Sequence, residues 1–391
     1  MLFQSLDNKN DCVGVYTDGH MFFDDLPDGL SHTWSWSPYL PEGIEYAQIW
    51  VGGKSLGEIC PPHLFDSWLE SNRRLKAFFR SFSLAKIDLD EHCFFDLVDK
   101  SFLESHCEIK NKICEWVFEN YPRPENHDKM VEVLQVLESI KSYEINIDDK
   151  TIENERYKEN VREFNSKVSK YKRSVDYSIF GSATGRLTTS KKSFPILRLD
   201  RKYRNFVKPN NDWFVEFDYN AADIRSLFYI MGKAQPQIDV HQWNVENIFN
   251  NNISRDVAKR LIFSWLYDLK KSDKKLEKVY GRDYILREYW DGKSVVNPFG
   301  RKLLADKKHA ISYLIQSTTA DYVSGRMVEV SKILKNLKTR IAFSIHDSIV
   351  VDLDWSERHV ISDILQCMRQ DGFLVSVNTG KNFGSLERLK I

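Results

Sequence analysis

The chain has 391 residues, of which 42% are hydrophobic, 29% charged and 13% aromatic; this is enough for two or three folded domains and excludes a disordered chain. No apolar run approaches the roughly 18 residues of a membrane span, and the start MLFQSLDNKNDC lacks a basic segment followed by an apolar one, so neither an anchor nor a leader peptide is expected and the expected compartment is the cytoplasm. Formal net charge is zero, which by itself argues against a nucleic-acid binder and leaves the distribution of charge to decide.

Residues 1–60 hold nine acids and two bases, a net of −7. They contain short β-like runs between turn signals, CVGVYTDGHMFF, SHTWSWSPYL and EYAQIWVGG, and are expected to form a small acidic sheet or appendage. From Pro61 to about Tyr171 the pattern turns helical and charged, as in HDKMVEVLQVLESIKSYEI, where apolar residues return every three or four positions. Cysteines at 12, 60, 93, 107, 114 and 367 make no disulfide framework, which fits a reducing compartment. Cys60, His63, His92, Cys93, His106 and Cys107 are the material of a zinc site, but no CxxC accompanies them and ordinary packing is the favoured reading.

Residues 161–208 hold thirteen bases and three acids, a net of +10. In a balanced chain such a segment is what a single phosphate-facing surface would need, a solvated loop being the alternative. WFVEFDYN (213–220) then reads as a buried strand, followed by helices to about Trp290. The remainder holds a long helix, HAISYLIQSTTADYVSGRMVEVSKIL, and a second strand signal, RIAFSIHDSIVVDLD. Neither internal repeats nor low-complexity tracts interrupt this order.

Two features call for chemistry. In RDVAKRLIFSWLY, Arg255, Lys259, Phe263 and Tyr267 recur every four residues, which on a helix makes one slowly turning stripe. Leu261, Ile262, Trp265 and Leu266 already supply the apolar side a core would use, so the stripe is free for another task. Asp218 ends the first strand and Asp347 lies between AFSI and IVV, as at the bend of a hairpin. Taken singly each acid is a common turn residue. Together with the basic stripe they suggest a pair of acids holding two Mg²⁺ ions about 3.5–4 Å apart for phosphoryl transfer.

DYNAADIR at 218–225 resembles the DYSxxELR-type motif A of family A DNA polymerases, the group of bacterial DNA polymerase I. Arg255, Lys259, Phe263 and Tyr267 match the four signature positions of that family's motif B, and His346-Asp347 matches motif C. TGRLTT (184–189), DVH (239–241), Gln316 in IQSTTAD and GKNF (380–383) fall in the family's order, so the resemblance covers about 170–391. It implies an α+β, right-hand polymerase fold: an antiparallel-sheet palm from 181–245 and 292–391, helical fingers from 246–291 and a helical thumb from 61–180. It implies a DNA-templated DNA polymerase that extends a primer 3′-hydroxyl with dNTPs, using two Mg²⁺ ions with Mn²⁺ as a substitute.

Each residue then acquires an implied task. Asp218, Asp347 and the Tyr219 backbone carbonyl hold the metals. Arg255, Lys259 and His241 bind the triphosphate, Lys259 also serving the departing pyrophosphate. Phe263 lies against the sugar, Tyr267 stacks at the templating position and Asp223 excludes a 2′-hydroxyl. Arg186, Gln316, His346, Arg198 and Arg204 contact primer-template DNA, and the basic segment tracks its backbone.

The sequence also departs from the family. Asp223 stands where Glu is usual and is shorter by about 1.5 Å, which weakens the expected exclusion of ribonucleotides and the expected bond to Tyr267. Asp268 replaces a Gly, Ser348 the Glu that follows motif C, and Ser312 and Ile196 two Asn residues. Phe263 in place of Tyr implies discrimination against dideoxynucleotides. The roughly 180 residues before TGR leave no room for a 3′-5′ exonuclease domain beside a thumb, so proofreading is expected from a separate exonuclease among the replisome proteins, and a phage enzyme acting in a bacterial cytoplasm is the expected origin. Two alternatives remain: a single-subunit RNA polymerase, against which Asp223 argues because such enzymes typically carry Gly there, and a non-catalytic primer-template binding protein.

Overall fold

Val215, Phe217 and Tyr219 alternate with Glu216 and Asp218 along the strand Trp213–Tyr219, so over these residues one face is buried while the other carries acids. This strand is the centre of the computed structural model, which describes residues 1–8, 11–23, 25–89 and 91–389, with only the backbone described at 7, 8 and 11–13. Two compact units result, Met1–Val131 and Glu132–Ile391.

In the first unit, Gln4–Asn8, Asp11–Thr17 and His20–Phe23 form an antiparallel meander. The other two β-like runs of the first sixty residues give only a two-residue parallel pairing, His32–Thr33 with Glu45–Tyr46, and AQIW becomes a helical turn. Such fragments cannot bury themselves. Trp34, Ala47, Val51 and Ile59 therefore share one core with Trp68 of the helix Pro62–Leu84 and with Ile113, Cys114 and Val117 of the helix Lys100–Asn120. The acidic segment is thus not set apart at residue 60, and the compact unit ends at 131 instead. His106 stacks on Trp68 and Phe102 and shares a hydrogen bond with Ser71 at 2.8 Å, a packing role; burial pushes its pKa down to about 4. Among the described residues no three His, Cys, Asp or Glu side chains gather as a metal cluster.

In the second unit the central strand lies in a five-stranded antiparallel sheet, in the order Arg340–Ile345, Ser348–Leu353, Trp213–Tyr219, Val375–Gly380, Glu387–Arg388. Its buried face meets helices: Tyr219 donates to the Met368 carbonyl at 2.9 Å and packs on Tyr322 and Phe373. Tyr322 belongs to the long helix Lys307–Ile333, which Asp306 caps by accepting from the His309 amide. A single apolar cluster joins Ile224, Leu227 and Phe228 of the helix Ala222–Ile230 to Ile262, Trp265 and Leu266 of the helix Arg255–Tyr267 and to Ile311, Leu314 and Ile315 of the long helix. Leu261, expected on that apolar side, is 46% exposed. Among the described residues no helix is long and apolar enough to cross a membrane.

Candidate active site

The two aspartates meet because of register. Asp218 pairs with Ser348 across the ladder, and Ile345 pairs with Ser348 across the two-residue turn His346-Asp347. That turn places Asp347 one residue beyond the partner of Asp218, with His346 at φ 55°. Burial first, then the Asp347 charge, then Glu216, pushes Asp218 up to about 7. Asp347 is raised too, chiefly by burial and further by Asp223. Neither carboxylate forms a hydrogen bond to another side chain or an ion pair among the described residues. Two neighbouring carboxylates withdrawn from water without a cationic partner are costly, and their hard oxygens suit Mg²⁺. Among the described residues no third acid, His or Cys joins them as a cluster of metal ligands; an ion held there would take its remaining ligands from backbone, water and phosphate.

Beside this pair opens a cavity of about 280 Å³ whose lining includes Arg186, Asp223, His241, Lys259, Phe263, His346 and Asp347. Lys259 has no ion pair among the described residues. His241 is 3% exposed, its Nδ1 has no hydrogen-bond partner among the described residues, and burial pushes it down to about 4, so the ring is neutral. Phe263 lies 6.1 Å from the His241 ring and stacks on Tyr267 at 6.0 Å and 18°. Tyr267 packs against the apolar cluster and does not line the cavity.

Several predicted residues already hold partners. Arg255 makes a bidentate pair with Asp239 at 2.7 and 3.0 Å. Burial works to raise Asp239, but hydrogen bonds from Arg255, Asn220 and the Gln242 amide outweigh it and hold the carboxyl well below its ordinary value. Asp239 also caps the helix Val240–Asn247 that carries His241. Arg186 reaches both oxygens of Asp223, at 3.0 and 3.1 Å, and Thr319 Oγ1 donates to Asp223 at 3.1 Å. No hydrogen bond joins Asp223 to Tyr267 among the described residues, so the expected bond between them is replaced by these two. Gly185, at φ 76°, permits this arrangement: a Cβ there would come within 2.6 Å of the Arg301 guanidinium carbon, and Asp321 holds Arg301 in place at 2.7 Å.

The outer contacts are mixed. Arg198 is exposed and has no ion pair among the described residues, and Gln316 is half-buried on the long helix outside the cavity lining. Arg204 stacks 4.6 Å over Phe383 of GKNF and donates to the Leu199 carbonyl. Within the basic segment Lys167 pairs with Asp200, Arg173 with Asp149, Lys202 with Glu163 and Lys208 with Asp148. Its +10 is therefore partly neutralised, half of those acids coming from just outside the counted range.

Arg225, the last residue of motif A, was given no task by sequence. It is fully buried and donates to the carbonyls of Asn220, Pro236 and Ile238 at 2.8, 2.9 and 2.9 Å, holding the loop before His241. Asp239 and Thr319 stood inside DVH and IQSTTAD, which was the only signal for either.

No family model matches the chain. Over 241 residues it is 24% identical to a DNA polymerase I of Caldicellulosiruptor bescii, covering 48% of this chain and 28% of that protein. Over 274 residues it is 22% identical to a DNA polymerase I of Chloroflexus aurantiacus, covering 55% and 29%. The chain thus matches under a third of the length of either curated relative. Its fold is similar to the POL domain of Pol1 from M. smegmatis, in complex with DNA primer-template and dNTP, with a TM-score of 0.55 and 13% identity over 73% of this chain and 76% of that one. At that identity the likeness establishes the α+β polymerase fold.

Proposed function

We propose that this chain is a DNA-templated DNA polymerase of the family A type, adding dNTPs to a primer 3′-hydroxyl by two-metal-ion nucleotidyl transfer. The observation that supports it most is the meeting of Asp218 and Asp347, uncompensated, beside a cavity lined by Lys259, His241 and Phe263. The sheet is read as the palm, residues 246–291 as the fingers and helices within 61–180 as the thumb.

Asp218, Asp347 and the Tyr219 backbone carbonyl would hold the Mg²⁺ ions; the Tyr219 side chain is committed to the core. When bound, the two ions acidify the primer hydroxyl and offset charge on the triphosphate. Lys259, lacking an acid partner, presents its ammonium to the leaving pyrophosphate. His241 is neutral and contributes a hydrogen bond to a phosphate oxygen, which requires its cavity-facing nitrogen to donate. Arg255 exchanges Asp239 for phosphate. Phe263 offers the sugar a flat apolar face, with Tyr267 stacked behind it toward the template base. Arg186, Gln316, His346, Arg198 and Arg204 are assigned to the duplex.

Primer extension on a templated hairpin with Mg²⁺ tests this, comparing dNTPs with rNTPs for the wild type and Asp347→Ala. Templated dNTP addition that vanishes in the variant is expected. Tight hairpin binding with no extension would instead indicate a holder of primer-template, and equal use of rNTPs an RNA-polymerase-like enzyme.

A further inference from the structure

Asp223 stands in the first turn of the helix Ala222–Ile230 and lines the cavity. Alone, so short a carboxylate could turn and accept a hydrogen bond from a ribose 2′-hydroxyl, which would welcome a ribonucleotide. It is not alone. Arg186 takes both oxygens, and Thr319 Oγ1 reaches Oδ1 from the long helix at 3.1 Å.

The Thr319 hydroxyl has one proton and three oxygens near it: Asp223 Oδ1 at 3.1 Å, the Ile315 carbonyl at 3.0 Å and Ser226 Oγ at 2.8 Å. The Ile315 carbonyl can only accept, and a mid-helix Thr ordinarily gives its proton to that i−4 carbonyl. Ser226 alters the balance. Fully buried, it can donate to Thr319 Oγ1, and a hydroxyl that accepts one hydrogen bond donates more strongly to the next acceptor. The charged carboxylate is the stronger acceptor of the two. Ser226, Thr319 and Asp223 thus form a directed chain ending on the cavity wall.

From this geometry we infer that Thr319, backed by Ser226, is a positioning residue that fixes Asp223 as a sugar-discriminating wall. Sugar choice then rests on Asp223 and Thr319, and not on an acid–tyrosine pair with Tyr267. Arg186, assigned to the duplex, is drawn away when primer-template binds, and Thr319 remains as the protein partner of the carboxylate. The inference rests on the polymerase reading above.

Single-nucleotide extension with Mg²⁺ tests it, reading the ratio of kcat/KM for a dNTP to that for the matching rNTP in the wild type, Thr319→Val, Thr319→Ser and Ser226→Ala. Thr319→Val, which keeps the shape and removes the hydroxyl, lowers the ratio by about tenfold, the scale of one hydrogen bond to a charged group. Thr319→Ser keeps the ratio, and Ser226→Ala lowers it partway. An active Thr319→Val enzyme with an unchanged ratio overturns the inference, as does a Thr319→Ser ratio that falls equally far. Should Thr319→Val not fold, an unchanged ratio in Ser226→Ala has the same force. A wild type that extends with neither nucleotide refutes the polymerase reading, and this inference with it.

Discussion

Asp218→Asn will make the metal-free protein more stable, and increasingly so as pH rises. The folded protein raises this carboxyl from 3.8 to about 7 through burial, the Asp347 charge and Glu216. Its folded pKa lies above its unfolded one, so between about pH 4 and pH 7 the folded state holds a proton that the unfolded state has lost, and stability falls as pH rises through that window. A difference of about 3 units at ~1.4 kcal/mol each gives ~4 kcal/mol at full ionisation, reduced toward ~2 kcal/mol because Asp218 keeps some contact with water. Asn has the same shape and no charge to lose. Urea unfolding in chelator should therefore give a gap favouring Asp218→Asn that widens by ~1 kcal/mol between about pH 5 and pH 8. Adding Mg²⁺ at the higher pH should stabilise the wild type and narrow the gap, because a ligand that binds only the folded state adds its binding free energy. A gap that stays flat with pH, or a variant less stable at pH 8, would refute the view that the two aspartates are an uncompensated pair.

Other substitutions separate support from chemistry. Arg225→Leu removes the donor from three carbonyls, that of Pro236 buried and those of Asn220 and Ile238 partly so, and should cost ~2 kcal/mol or more; a urea midpoint change worth under ~1 kcal/mol contradicts the bracing role. Lys259→Ala should lower kcat/KM for dNTPs by about a hundredfold or more while primer-template affinity holds, and an unchanged kcat/KM removes Lys259 from the triphosphate site. Wild-type enzyme should discriminate against dideoxynucleotides and Phe263→Tyr should relax this, so efficient ddNTP use by the wild type sinks the sugar-face assignment. Primer-template affinity should fall with salt, but with a log–log slope well below the full count of bases in 161–208, because Lys167, Arg173, Lys202 and Lys208 are already paired.

What the sequence disclosed and what it hid follow from the range of the interactions. The strand carrying Asp218, the hairpin bearing Asp347 and the helix Arg255–Tyr267 were legible because each is set by a local period of apolar residues. Pairings across distance were not. Thr319 and Asp223 are 96 residues apart, and a tally of bases in 161–208 could not include Asp148 and Asp149, which neutralise two of them. Trp34 seeks a helix beyond residue 100 because a two-residue strand pairing cannot cover it.

These long-range pairings also sort the predicted residues by the counter-charge they await. Arg255 and Arg186 are neutralised by Asp239 and Asp223, so a ligand gains from them only by exchanging one acceptor for another, a step that tunes selection more than affinity. Lys259, Asp218 and Asp347 have no such partner among the described residues. No ion pair meets their charge, which an anion at the lysine and cations at the acids would balance. A metal-bound nucleoside triphosphate carries both signs in one ligand, which is why the uncompensated residues, more than the number of charges near the cavity, argue for the proposed substrate.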